Sequence, residues 1–204
     1  METKKYFRKH IAITNEHGSW VFLLSPLVIG LFAGDRWSTA SVFLTFAALG
    51  AFLIRQPISI AVKIYSGRRS KKDLPASWFW IIVYGLVTFG MVAGLLMTGH
   101  GYVLYLAIPG GPVFIWHLYL ISKRAERRQM GIEFVATGIL ALAAPAAYWI
   151  GIGGPDVAGW WLWGIIWLQS AASIVYAYLR LEQRVWKDKP ALKAKVRFGK
   201  RAIL

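Results

Sequence analysis

Four histidines, nine carboxylates and no cysteine narrow the chemistry open to this chain of 204 residues. Without cysteine there is no disulfide scaffold, thiolate metal site or cysteine nucleophile. The polar residues that invite attention lie in a few places. Asn15, Glu16 and His17 stand together, Arg55 and Gln56 directly precede Pro57, and His117 is followed at a distance by Arg124 and Glu133. An imidazole beside a carboxylate is the usual tuning of an acid/base pair. A guanidinium offers a planar fork of donors to a phosphate or carboxylate. Two sets follow: His17 with Asn15, Glu16, Arg55 and Gln56, and His117 with Glu133 flanked by Arg124. Together they suit a small anionic ligand or a lipid headgroup. An equally simple reading remains open, in which Glu16 and Glu133 neutralise neighbouring arginines and the histidines are structural donors.

Other chemistries are tested by what is missing. Membrane phosphoryl and prenyl transferases cluster carboxylates on Mg²⁺, because that ion needs hard oxygen ligands. The chain has neither a D-x-x-x-D pattern nor a D-G-x-x-A-R signature. A zinc site from His17, His117 and Glu133 is acceptable in ligand type, but no H-x-x-x-H spacing accompanies it. No metal is therefore expected, no cofactor is indicated, and whether the site catalyses anything is left open.

The elements that must position these residues are apolar. Hydrophobic residues make up 57% of the chain and charged residues 16%, with a mean hydropathy of +0.49. A soluble domain carries roughly 25% charged residues, so this chain cannot cover itself in water. Six runs approach the ~20 residues needed to cross a bilayer: 18–34, 37–54, 78–98, 102–122, 132–152 and 160–179. The first is short and is expected to borrow a turn from residues 11–17. Runs of this kind are helices, because lipid forbids unpaired backbone. The expected fold is an all-α integral membrane protein of six transmembrane helices. Its parts are a basic cytoplasmic N-terminus (1–17), the six-helix domain (18–179) and a basic tail (180–204).

The net charge of +15 fits this layout. Of the 24 basic residues, 23 lie before the first run, after the second, after the fourth or after the sixth, and only Arg36 lies elsewhere. Short loops rich in Lys and Arg stay in the cytoplasm. Both termini are thus expected inside, in a bacterial cytoplasmic membrane, and the basic head is not read as a cleaved signal peptide. The tail beyond Pro190 mixes five cations with Leu192, Val196 and Phe198, which suits an interfacial segment on anionic lipid or a solvated basic tail. It lacks the stacking aromatics of a nucleic-acid surface. The expected partners are the bilayer and its anionic lipids. Trp37, Trp78, Trp80, Tyr102, Trp160, Trp161 and Trp163 cluster near run ends and read as interfacial anchors.

Within the runs, Gly30-x-x-x-Gly34 and Gly90-x-x-x-Gly94 permit close helix approach, inside one chain or toward a membrane partner. Pro26 and Pro145 are expected to kink their helices. Pro109-Gly110-Gly111-Pro112 removes donors and helix propensity together, so the fourth run is expected to break there. No matching break is evident in the other half.

The run Asn15-Glu16-His17-Gly18-Ser19-Trp20, followed by Pro26 and Gly30, resembles the opening signature of the YwiC-like family of bacterial membrane proteins. Arg55-Gln56-Pro57 resembles that family's Arg-x-Pro element, and the stretch from Arg124 to Glu133, with Gly131, is also similar. The resemblance covers most of residues 11–180 and leaves the tail outside. It implies the topology and this choice of residues, and it supplies no reaction. Three functions stay in contention: an anionic-ligand or headgroup site facing the cytoplasm; a transporter gated at the broken fourth helix, lined by His117 and Gln169; and a non-catalytic membrane subunit joined through its glycine faces.

Overall fold

A computed structural model describes residues 6–14, 17–123 and 130–184, with backbone alone at His17 and Glu182. Within them the chain is entirely helical: α1 Lys9–Ala12, α2 His17–Ala33, α3 Thr39–Tyr65, α4 Leu74–Met97, α5 Gly110–Ser122, α6 Met130–Ala141, α7 Ala143–Ile152 and α8 Val157–Gln183. Two 3₁₀ segments, Lys71–Asp73 and Gly101–Ala107, lead into α4 and α5.

Five helical stretches are long and apolar enough to cross a membrane: α3, α4, the second 3₁₀ segment with α5, α6 with α7, and α8. The first run is shorter than the rest. Its helix α2 has 17 residues, about 25 Å at 1.5 Å per residue, against ~30 Å of hydrocarbon. Among the described residues the helix does not continue back to residue 11. Ile13 is extended, with φ −121° and ψ 134°, so α1 is a separate turn of helix.

The second run departs in the opposite direction. Arg55-Gln56-Pro57 reads as its end, yet α3 continues through all three to Tyr65 and contains Pro57 in its interior. Its last turns stay helical because Ile60 and Ile64 are buried with Ile11 and Ala76. Packing outweighs the missing proline donor.

Three pairings build the bundle. α3 and α4 form a long antiparallel hairpin, α2 lies along α7, and α6 lies along α8. The glycines explain the second pairing. A Cβ at Gly30 would strike the carbonyl of Ala144, and one at Gly34 would stand 2.9 Å from the Tyr148 carbonyl. The Gly30–Gly34 face is therefore an internal seam between backbones. The other glycine pair is split. Gly94 packs on the Phe43 ring, while Gly90 has nothing within 4 Å.

Two of the six runs are broken. The fourth is 3₁₀ to Ala107, turns at Ile108–Pro109 and becomes α-helical at Gly110, as its prolines and glycines dictate. The fifth breaks as well, at Leu142, between α6 and α7, and this overturns the expectation of a single break. The cause is Pro145, which cannot donate to the Ala141 carbonyl four residues back. The Leu142 amide turns instead to Ile139 at 3.2 Å. The neighbouring carbonyl of Gly138 accepts from the indole of Trp163 at 2.9 Å, and that of Phe134 from Trp167 at 2.9 Å. A broken helix in an apolar interior persists when neighbours satisfy its backbone in this way.

The main core, around Leu27, Leu31, Leu44, Leu106, Trp149 and Ile150, lies toward the end of the bundle away from the basic loops. The outward faces of α4 and α8 are apolar and exposed, at Leu86, Phe89, Ile165 and Leu168 among others. Apolar surface on this scale marks a membrane-type bundle. Trp37, Trp78, Trp160 and Trp161 are also exposed, as anchors are. Trp163 and Tyr102 turn inward instead, and the Tyr102 hydroxyl donates to the Trp149 carbonyl at 3.1 Å.

Candidate functional site

The polar residues of the bundle gather at the basic end, where α1 fills the groove between the last turns of α3 and the first turns of α4. Ile11 is wholly buried there. Main-chain carbonyls hold the segment in place: Trp80 donates to the Tyr6 carbonyl at 3.2 Å, Tyr84 to that of Ala12 at 2.8 Å, and Gln56 to that of His10 at 3.2 Å. The ring of Phe7 lies against Phe79 and Trp80. The basic head thus includes a docked element, and Gln56 is one of the groups that dock it.

Asp73 anchors the same place. It sits one residue before α4 at the end of the 3₁₀ turn, is only 8% exposed, and accepts from Arg69 Nε at 2.7 Å and from Arg8 Nη1. His10 Nε2 stands 4.0 Å away. The Asp73 main-chain carbonyl accepts from the Ser77 hydroxyl at 2.9 Å. Burial pushes the carboxyl up, but the hydrogen bond and charge of Arg69, then the charge and hydrogen bond of Arg8, outweigh it. The group ends below the ordinary 3.8. Such a balance needs both partners, since burying a carboxylate alone is costly.

Arg55 lies ten residues before the end of α3, about 15 Å along the helix from its last residue. Its guanidinium is 5.7 Å from the centre of the Phe52 ring, and that ring is 5.1 Å from Trp20 in α2. α2 and α3 are joined by a short connection and run antiparallel. Trp20 is three residues after His17 and Phe52 three residues before Arg55, so the aromatic contact lies about one turn from each. The His17 side chain is not described, and Asn15, Glu16 and Arg124 lie outside the described residues.

The second set is less compact. His117 is partly buried on α5, while Glu133 is exposed on α6 and accepts from the Tyr178 hydroxyl of α8 at 2.8 Å. Gln169, the other polar residue of the transporter reading, is on the exposed side of α8. Pro109 caps α5, and Gly110, Gly111 and Pro112 form its first turn. Among the described residues no three His, Asp or Glu side chains converge as metal ligands.

Sequence reasoning passed over Asp73, Arg8, Arg69 and His10. Half of that cluster had a signal, for Arg69 and Asp73 are four apart and Asp73 precedes Leu74-Pro75 at a helix start. Arg8 is 65 positions away, and no local pattern announces it. Arg68 is a second long-range donor, reaching the carbonyl of Ile121 at the end of α5.

The family model for YwiC-like protein matches residues 13–148. The chain is 28% identical over 167 residues to "Uncharacterized protein YwiC" of Bacillus subtilis (strain 168). That alignment covers 78% of this chain and 61% of the relative, so the chain spans less than two thirds of the relative's length. No solved structure matches.

Proposed function

The chain belongs to the YwiC-like family, and from that premise we propose that it is a multi-pass protein of a bacterial cytoplasmic membrane that holds an anionic group at its basic end. The group is a phosphate or carboxylate, carried by a small ligand or by a lipid headgroup. Arg55, Gln56 and His17 receive it, and the sequence pattern assigns Asn15, Glu16 and Arg124 to the same site. In this reading all six runs cross the bilayer, the short α2 being accommodated by local thinning. Both termini face the cytoplasm because the cations do.

The position of Arg55 inside α3 is the observation that carries the proposal. Orientation needs cations in loops, whereas Arg55 is inside a 27-residue helix, ten residues from its end. An ionisable residue kept within a spanning helix is costly and marks a functional position by default. A guanidinium offers a fork of hydrogen bonds to an oxyanion. His117 and Glu133 belong to a separate wall of this end, with Glu133 held by Tyr178.

The test is native mass spectrometry of the full chain released from nanodiscs containing phosphatidylglycerol, and from phosphatidylcholine nanodiscs supplied with inorganic phosphate. Retention of the lipid identifies a headgroup site, and retention of phosphate identifies a free anion. Arg55→Ala should lose the bound species, and Lys72→Ala should keep it. A wild-type chain that retains neither, or an Arg55→Ala variant that retains as much as wild type, overturns the proposal.

A further inference from the structure

The fourth and fifth runs break beside one another. The space that a Cβ on Gly110 would fill is 3.4 Å from Ile139 Cγ2, and Ile139 supplies the carbonyl that takes the displaced Leu142 amide. On one side of this junction the chain is locked. Val103 and Leu106 of the 3₁₀ segment are buried in the main core, and Tyr102 is bonded to Trp149 of α7. On the other side burial is sparse. Of the thirteen residues of α5 only Ile121 is buried, while Ile115, Trp116 and Tyr119 are exposed. α5 starts at Pro109-Gly110-Gly111-Pro112, where two residues have no amide donor and two have no side chain. Its far end is held by Arg68, whose guanidinium meets the Ile121 carbonyl. That carbonyl belongs to the negative end of the helix dipole, which favours a cation there.

We propose that α5 is a hinged arm, pivoting on the Pro109–Pro112 turn and latched to the α3–α4 connection by Arg68. The locked 3₁₀ half of the same run is its fixed mount, and the break at Leu142 leaves α6 free of a rigid continuation opposite the pivot. Motion of the arm opens the basic end of the bundle between α3 and α6, the helices that α5 touches. The arm carries His117 with it. The proposal is independent of what Arg55 binds, because it reads out as distance.

The natural absence of cysteine lets two introduced cysteines define one spin-labelled pair. Tyr119→Cys with Ile82→Cys reports the arm against α4, and Tyr105→Cys with Leu96→Cys reports the fixed half against the same helix. All four positions are exposed. In nanodiscs the arm pair should give a broad or two-component distance distribution and the fixed pair a single narrow one. Arg68→Ala should raise the second arm component about tenfold, the effect of losing one hydrogen bond to a charged group. Replacing residues 109–112 by four alanines should collapse the arm pair to one component. An arm pair as narrow as the fixed pair, in wild type and in Arg68→Ala alike, overturns the proposal. Should the alanine variant fail to fold, hydrogen exchange of the unaltered chain decides: α5 amides beyond the first turn should exchange about tenfold faster than those of α7, and equal protection overturns the hinge.

Discussion

Asp73 shows how one carboxylate sets the order of a whole segment. It joins Arg8 of the N-terminal segment to Arg69 of the α3–α4 connection, so its loss leaves two cations facing each other over a buried gap. Asp73→Asn should lower stability by about 1–3 kcal/mol, the cost of breaking charged hydrogen bonds at a mostly buried acceptor with partly exposed donors. Differential scanning of the full chain measures it. The same pair gives a pH signature. The folded carboxyl sits below the ordinary 3.8, so its contribution is complete above that value and is lost as the pH falls through the depressed one. The difference in Tm between wild type and Asp73→Asn should therefore be steady near pH 7 and shrink below about pH 4. At the same scale, Arg8→Ala should hasten tryptic cleavage at Lys9, because α1 then keeps only its apolar contacts and main-chain bonds. Unchanged cleavage would show that those contacts suffice.

At the scale of elements, the interrupted fifth run depends on a residue outside it. Trp163 on α8 satisfies the Gly138 carbonyl near the break. Trp163→Phe keeps the ring and deletes the donor, and should cost about 1–2 kcal/mol because a buried carbonyl is left unpaired. Trp161→Phe, on the exposed side of the same helix, should be neutral in the same unfolding measurement. This separates two tryptophans that sequence position alone makes equivalent. Both lie near the start of an apolar run and both fit an anchor, yet one is a structural donor. The prolines divide likewise. α2 and α3 run on through Pro26 and Pro57, while Pro145 lies just beyond a break. In α3 the turns beyond the proline have Ile11 and Ala76 to pack against, whereas around Leu142 the helix finds an indole for its carbonyl and yields.

For the molecule as a whole, the seam between α2 and α7 decides whether the bundle forms. Gly30→Leu should abolish a monodisperse folded species on size-exclusion chromatography, since any side chain there meets the Ala144 backbone. Gly90→Leu should leave the fold intact, because Gly90 faces open space. A Gly90 variant that unfolds would show that this face is covered by another copy or partner. Topology is tested with membrane-impermeant thiol labelling: Lys71→Cys should react only in inverted vesicles and Trp37→Cys only in right-side-out ones. The reverse pattern would invert the molecule, and with it the side from which Arg55 is reached.

Much of this was legible in the amino-acid order. Unbroken apolar runs dictate helices, because lipid demands a self-satisfied backbone and the alternating pattern of barrel strands is absent, and two prolines with two glycines at 109–112 dictate a break wherever the chain goes. The alternation of cations between loops supplies an expected orientation, and Arg55 is singled out by its place beside an apolar run. Tertiary structure alone decided the rest, through contacts between residues far apart in sequence. Arg8 finds Asp73, Arg68 finds Ile121, Trp163 finds Gly138 and Gly30 finds Ala144. Each pairing joins groups whose need for a partner is visible locally but whose partner is not. Helix length follows the same rule: α3 passes through Pro57 because the turns beyond it are buried, and burial is a property of the assembled bundle rather than of the segment.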